Sequence, residues 1–94
     1  VNRGALAFEG LVIKEGSGYW SLCPELDVAS QGESVREAKS MLREAVTGYL
    51  EACFESNLPY LRPVPEKDDP RRTEPDRIVE SFRMRVDLTV KVRG

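Results

Sequence analysis

The sequence contains no histidine. That absence removes the side chain that most often serves as general base near neutral pH, as partner to a nucleophile, and as metal ligand. Cysteine is nearly as scarce: Cys23 and Cys53 lie far apart and form neither a metal-binding nor a redox spacing. They read as two buried thiols of a reducing compartment, although one on a strand and one on the helix above it would be within reach of a disulfide. No apolar run is long enough to cross a bilayer, and the first residues lack the apolar stretch of a secretory signal, so the expected compartment is the cytoplasm. Charge of neither sign dominates. Residues 1–57 carry five Lys and Arg against nine Asp and Glu, and residues 58–94 carry nine against seven, for net charges of −4 and +2. A dedicated nucleic-acid binder shows a stronger basic footprint. At 94 residues, 40% of them hydrophobic, the chain has room for a single domain over 1–94 with one modest core.

What is present is ordered clearly along the chain. Residues Leu6 to Lys14 are aliphatic and aromatic enough for a strand with apolar groups on both faces. Gly16-Ser17-Gly18 supplies a hairpin turn. Tyr19 to Cys23 returns as a second strand, with Trp20 and Leu22 on one face and Tyr19, Ser21 and Cys23 on the other. Pro24 has no N–H to give to a ladder, so Glu25 to Asp27 forms a bend and Val28 to Gln31 a short third strand. Ser34-x-x-Glu37 is a capping box that opens a helix. Its apolar stripe is Val35, Ala38, Leu42, Ala45, Val46, Tyr49, Leu50 and Cys53, and it should end near Ser56-Asn57, before Pro59. Gly48 is a weak point in that helix, which invites the idea that another backbone approaches there.

Five of the six prolines fall between Leu58 and Arg77. So long a connection is uncommon in a compact domain, and residues 58–77 read as a Pro-rich loop, mobile at Glu66 to Glu74. In the last segment Phe82, Met84, Val86, Leu88, Val90 and Val92 alternate strictly with Arg83, Arg85, Asp87, Thr89, Lys91 and Arg93. This is a long strand with one buried and one wet face. The other strands read as too short to cover it. Phe82, Met84, Val86, Leu88 and Val90 are therefore expected to form an oligomerisation strand that pairs with another copy of the chain, as a homodimer or tetramer. The fold class implied is α+β: a three-stranded antiparallel meander, one long helix packed on the sheet, a long loop and a final strand.

The order and spacing of Tyr19, Pro24-Glu25-Leu26, Ser30-Gln31-Gly32, Ser34, Glu37-Ala38, Glu44-Ala45 and Tyr49-Leu50-Glu51, followed by Leu58-Pro59 and the late strand FRMRVDL, resemble the HicB-like antitoxin family. The resemblance covers most of the chain outside the long loop. It implies a truncated RNase H-like fold, β-β-β-α-β, and a partner: a HicA-type ribonuclease toxin whose active face the antitoxin covers. Many members of that family carry a C-terminal helix-turn-helix or ribbon-helix-helix module. This sequence stops at Gly94, directly after the last strand, which argues against operator DNA binding. Asp27-Val28 also stands where many relatives have Pro-Gly.

An RNase H-like sheet raises the question of metal-dependent phosphodiester cleavage, which needs several carboxylates converging on paired Mg²⁺ ions. Glu9, Glu25, Asp27, Glu37 and Glu44 are the candidates. Capping accounts for Glu37, solvation for Glu44, and no Asp sits on the first strand. Cys23 has no histidine to activate it as a nucleophile. The expectation is a binding protein without metal or cofactor, not an enzyme. Glu25 and Asp27 form an acidic bend that could meet the basic RNA-binding face of a toxin, with Tyr19 and Trp20 beside it as anchors; a solvated turn accounts for the acidic pair equally well, and burial in the core is the plainer account of Trp20. The alternative function is a small nucleic-acid-binding transcriptional regulator using the basic face of the last strand (Arg83, Arg85, Lys91, Arg93). Charged side chains on an exposed strand also serve simply to discourage aggregation.

Overall fold

In a computed structural model that describes residues 2–90, the chain forms a four-stranded antiparallel sheet of order β3-β2-β1-β4 with one long helix across it. The elements are β1 (Asn2–Glu15), β2 (Gly18–Cys23), β3 (Val28–Gly32), α1 (Val35–Glu55), a one-turn helix α2 (Pro70–Thr73) and β4 (Ile78–Val90). This is the expected α+β architecture. Gly16, at φ +58°, turns the chain between β1 and β2.

The two outer ladders differ in length. β2 pairs with β1 only from Leu11 to Glu15, whereas β4 pairs with β1 from Ile13 back to Asn2. The sheet therefore narrows to a two-stranded ribbon at one end. Two expectations are corrected here. β1 begins at Asn2, four residues ahead of the apolar run that marks it in the sequence, because Asn2 to Ala5 gain ladder partners in β4 whatever their polarity. For the same reason β4 is not left without cover: β1 matches it along its length.

The apolar residues of β4 are also accounted for within the chain. Met84, Val86 and Leu88 are buried, together with Phe8, Leu42, Val46 and Leu50, and Phe82 packs at the border of that cluster. Strict alternation identifies the apolar face, but not what covers it, and here α1 does. Val90 ends the strand; its side chain, and all of Lys91 and Arg93, lie outside the described residues.

α1 starts as its sequence dictates. The Ser34 hydroxyl accepts from the Glu37 N–H at 3.0 Å, and the Glu37 carboxylate accepts in turn from the Glu33 N–H at 3.0 Å, one residue before the position of the standard box. Ala38, Leu42, Val46, Leu50 and Cys53 are its buried stripe. Asn57, at φ +53°, ends it in a left-handed turn in which the Leu58 N–H reaches the Cys53 carbonyl at 2.8 Å. Two contacts seat the helix on the sheet. The Ser21 hydroxyl donates to the Ala38 carbonyl at 2.9 Å, and Gly32 lies so close that a Cβ there would stand 2.5 Å from the Ala38 nitrogen. At Gly48, by contrast, a Cβ would meet nothing within 4 Å, so among the described residues no other segment's backbone approaches there. Cys23 and Cys53 are both buried and free.

The opposite face of the sheet has its own cluster: Leu11, Ile13 and Leu22, with Trp20 and Ile78 against it. The Pro-rich segment folds across this face. It leaves the helix, runs beside the β2–β3 bend through hydrogen bonds from the Arg62 and Val64 N–H groups to the Glu25 and Pro24 carbonyls (3.0 and 2.8 Å), and turns through 66–68, α2 and 75–77 into β4. Asp69 and Pro70 are buried within it. Along the segment read as a Pro-rich loop, the structure has a strap built of three short helical turns.

Candidate partner-binding surface

Residues Tyr19 and Trp20 are consecutive on β2, so the pleat sends them to opposite faces of the sheet. Trp20 lies opposite Ile13 on β1 and is half-buried on the strap side, against Leu11, Ile13 and Leu22. Tyr19 lies opposite Lys14, whose ammonium is 4.5 Å from the ring centroid. Both rings border the end of the β2–β3 hairpin. There they line an open hollow of about 800 Å³ with Met41, Glu15, Glu33 and Glu37. Met41 is 42% exposed, a large apolar side chain turned outward beside three carboxylates.

Glu25 and Asp27 do not belong to this hollow. They stand beyond the other end of β2, and at about 3.3 Å per residue the length of the strand separates them from Tyr19 and Trp20. The acidic neighbours of the aromatic pair are Glu15, Glu33 and Glu37 instead. These come from a hairpin turn, a strand exit and a helix start, and only the β2–β3 register brings them together, with Tyr19 opposite Gly32. The local pattern Gly32-Glu33-Ser34 was legible as a helix start, not as a rim.

Each residue of the bend has another task. The Glu25 carboxylate accepts from the Glu9 N–H at 2.7 Å, where β1 has passed the reach of β2 and its edge would otherwise lack a partner. Asp27, at φ +52°, is exposed, and its carbonyl accepts from Arg62 at 3.3 Å. Arg62 also donates to the Leu26 carbonyl at 3.2 Å, and its guanidinium lies 5.0 Å from the centre of the Tyr49 ring. The bend is thus tied to the strap and to the helix.

The carboxylates of Glu9 and Asp69 do converge, but around an arginine. Arg71 grips the Asp69 carboxylate with Nε and Nη2 at 3.0 and 2.7 Å, and reaches Glu9 Oε1 with Nη1 at 2.9 Å. Asp69 also caps α2 by accepting from the Arg71 N–H at 2.9 Å. The Arg71 guanidinium holds the Asp69 carboxyl below its ordinary range, against the opposing effect of burial, and the same pairing raises Arg71. Nothing local in the sequence joins positions 9, 25, 69 and 71. Asp69-Pro70 followed by Thr73 is nevertheless a helix-start signal, an N-cap with proline at the first position, and it could have marked the strap as structured. Among the described residues no group of three or more Cys, Asp and Glu is arranged to hold a metal ion. Burial pushes the Cys23 thiol up to about 11, with the Glu25 charge adding to the effect, so the sulfur is held as the unreactive thiol.

On β4, Arg83 and Arg85 point away from the helix and are exposed, with Asp87 next in the row. Arg85 Nε lies 3.2 Å from Asp87 Oδ1. No helix among the described residues is long and apolar enough to cross a membrane.

No family model matches the sequence. The UPF0150 protein ssl0738 of Synechocystis is 46% identical over 42 residues, which are 44% of this chain and 58% of that protein. The chain thus matches little more than half the length of this relative. Among solved structures, the fold is similar to a chain of the HicA3 and HicB3 toxin-antitoxin complex, with a TM-score of 0.55 and 17% identity, covering 93% of this chain and all of that one. It is equally similar to the N-terminal domain of the Burkholderia pseudomallei antitoxin HicB, with a TM-score of 0.55, 20% identity, 93% of this chain and all of the other. The fold is that of a HicB-type N-terminal domain.

Proposed function

We propose that this chain is an antitoxin of the HicB type, a binding module that neutralises a HicA-type ribonuclease toxin by covering its active face. The observation that carries the proposal is the likeness of fold, over 93% of the chain, to a HicB antitoxin domain and to a chain solved in a toxin-antitoxin complex. The order of residues from Tyr19 to Glu51 supports the same reading independently of the coordinates. The surface assigned to the toxin is the hollow lined by Tyr19, Trp20 and Met41 and rimmed by Glu15, Glu33 and Glu37. Amphipathic aromatics and an exposed methionine supply contact area, and carboxylates around them steer a basic, RNA-binding partner into place. Glu25 and Asp27 keep a part in holding the bend and no part in the contact.

Co-expression with the product of the neighbouring gene tests the proposal. Growth arrested by the toxin alone is restored by this chain, and the two co-purify. Changing Glu15 and Glu33 together to Lys weakens capture by about tenfold or more, chiefly through slower association. Recovery of no partner, with normal growth when the neighbour is expressed alone, overturns the proposal. So does cleavage of a nucleic acid by the purified chain that is lost when one of its own carboxylates is changed. Salt-dependent binding of DNA or RNA by the chain alone would instead favour a nucleic-acid regulator acting through Arg83 and Arg85.

A further inference from the structure

Every basic residue of α1 stands on one flank of the helix. Arg36, Lys39 and Arg43 follow one another at steps of three and four, and Lys39 pairs with Glu80, which sets that flank on the β4 side. The other flank lies on the β3 side, where Met41 meets the hollow. Met41, Ala45, Gly48 and Ala52 run along it at steps of four, three and four, the a and d spacing of a coiled-coil seam. Glu37, Glu44 and Glu51 recur every seven residues, at the g positions that border such a seam. Met41, Gly48 and Ala52 are exposed, and a Cβ at Gly48 would meet open space. Glu44 and Glu51 enter no ion pair among the described residues. Arg62 approaches this flank at Tyr49, but the Leu26 and Asp27 carbonyls hold it.

From this flank we infer that α1 is one half of a helix pair whose other half belongs to a partner chain. That half is an amphipathic helix with Lys or Arg bordering its apolar stripe. Alanine and glycine keep the seam low, so a second helix can approach to an interaxial distance of about 8 Å, and its larger apolar side chains fill the space over Gly48. The seam from Met41 to Ala52 is roughly 16 Å long, three turns of helix. A second copy of this chain does not fit it. Antiparallel pairing along the seam sets g against g, glutamate against glutamate. Parallel pairing sets g against e, and the e positions are Leu42 and Tyr49, which pack toward their own sheet. A basic helix meets the glutamates in either direction. At Met41 the seam runs into the hollow rimmed by Glu15, Glu33 and Glu37, so one partner covers both. The identity of that partner rests on the antitoxin reading; the seam itself does not.

A labelled peptide of about three heptads, with Leu at a and d and Lys at e and g, probes the seam directly. Its fluorescence anisotropy is followed as the whole chain is added at low salt. The expected result is binding that a peptide with Glu in place of Lys does not share. The double variant E44K/E51K reverses the charge along the seam and weakens binding by about tenfold or more. Gly48→Trp blocks the close approach and has an effect of similar size. Neither change strains α1. A cation at position 51 is favoured by the helix C-terminus, position 48 is open, and circular dichroism confirms that each variant is folded. Arg43→Glu, on the opposite flank, does not weaken binding. A peptide that fails to bind, or that binds the wild type and both seam variants alike, overturns the inference whatever co-expression yields. So does capture of the neighbouring gene's product that neither seam variant weakens. Recovery of no partner in co-expression, with the peptide bound as expected, overturns the antitoxin reading alone.

Discussion

The two faces of the sheet carry similar aliphatic side chains under very different covers. On one, Leu42, Val46 and Leu50 from α1 close over Phe8, Met84, Val86 and Leu88. On the other, Leu11, Ile13 and Leu22 lie beneath a strap that is mostly turns, held at Glu9 by Arg71. The difference shows how an irregular segment can bury strand residues as fully as a helix does. Leu11 and Ile13 are as inaccessible as Leu42. A helix satisfies its own backbone and offers an apolar stripe; the strap has few apolar groups and depends on point attachments, each a polar group matched to a partner at a distance in sequence.

The sharpest way to break this comparison is to remove the same atoms from each side. Leu42→Ala should cost about 3–4 kcal/mol, since the helix is pinned at Ser34, Gly32 and Asn57 and has little freedom to settle into the cavity. Leu22→Ala should cost less, about 2–3 kcal/mol, because the turns above it can collapse further. Urea denaturation of both variants measures this. An equal or greater loss at Leu22 would mean that the strap is as rigid a lid as the helix.

Removing the strap's anchor should have the next largest effect. Asp69→Ala takes away the cap of α2 and the two-point grip of Arg71, at an expected cost of about 2 kcal/mol. The loss should be local, so amide exchange is expected to quicken across residues 66–74 while α1 keeps its protection. Uniform quickening would show that the two faces unfold as one. The attachment also predicts a pH dependence. The folded Asp69 carboxyl titrates below its ordinary value, so the stability it contributes is full above the unfolded value of about 3.9 and is lost as pH falls through the lower, folded value. The wild type should therefore lose its advantage over Asp69→Asn on acidification below about pH 4, in parallel thermal melts. An advantage unchanged at pH 3 would separate the strap from this carboxylate.

How much of this was legible follows the same division. The helix and the last strand announce themselves by period, capping box and turn residues, because each is decided by neighbours two to four positions away. The face opposite the helix was legible only as apolar, through Leu11, Ile13, Trp20 and Leu22; what covers it depends on pairings such as Glu9 with Arg71 that leave no local pattern. The candidate site divided likewise. Tyr19 and Trp20 were visible as aromatics on a strand, but their acidic neighbours were assigned from nearness in sequence, to Glu25 and Asp27. Register put Glu15, Glu33 and Glu37 there instead. Ladder pairing also outweighed composition at Asn2 to Ala5, which would not be read as a strand without β4 beside them.

On the helix side the smallest expected change is a gain. Gly48 sits in the interior of α1 at a position where an added Cβ meets no atom within 4 Å. Glycine there leaves the unfolded chain more conformational freedom than alanine would, so Gly48→Ala should raise stability by about 0.5–1 kcal/mol with no new contact at all. The gain tests which cover governs global unfolding. If α1 is the cooperative unit and the strap opens locally, the urea midpoint rises by the full amount and strap exchange through local opening is unchanged. A midpoint that does not move, in a variant as helical as the wild type, would mean that opening of α1 is not what global unfolding measures.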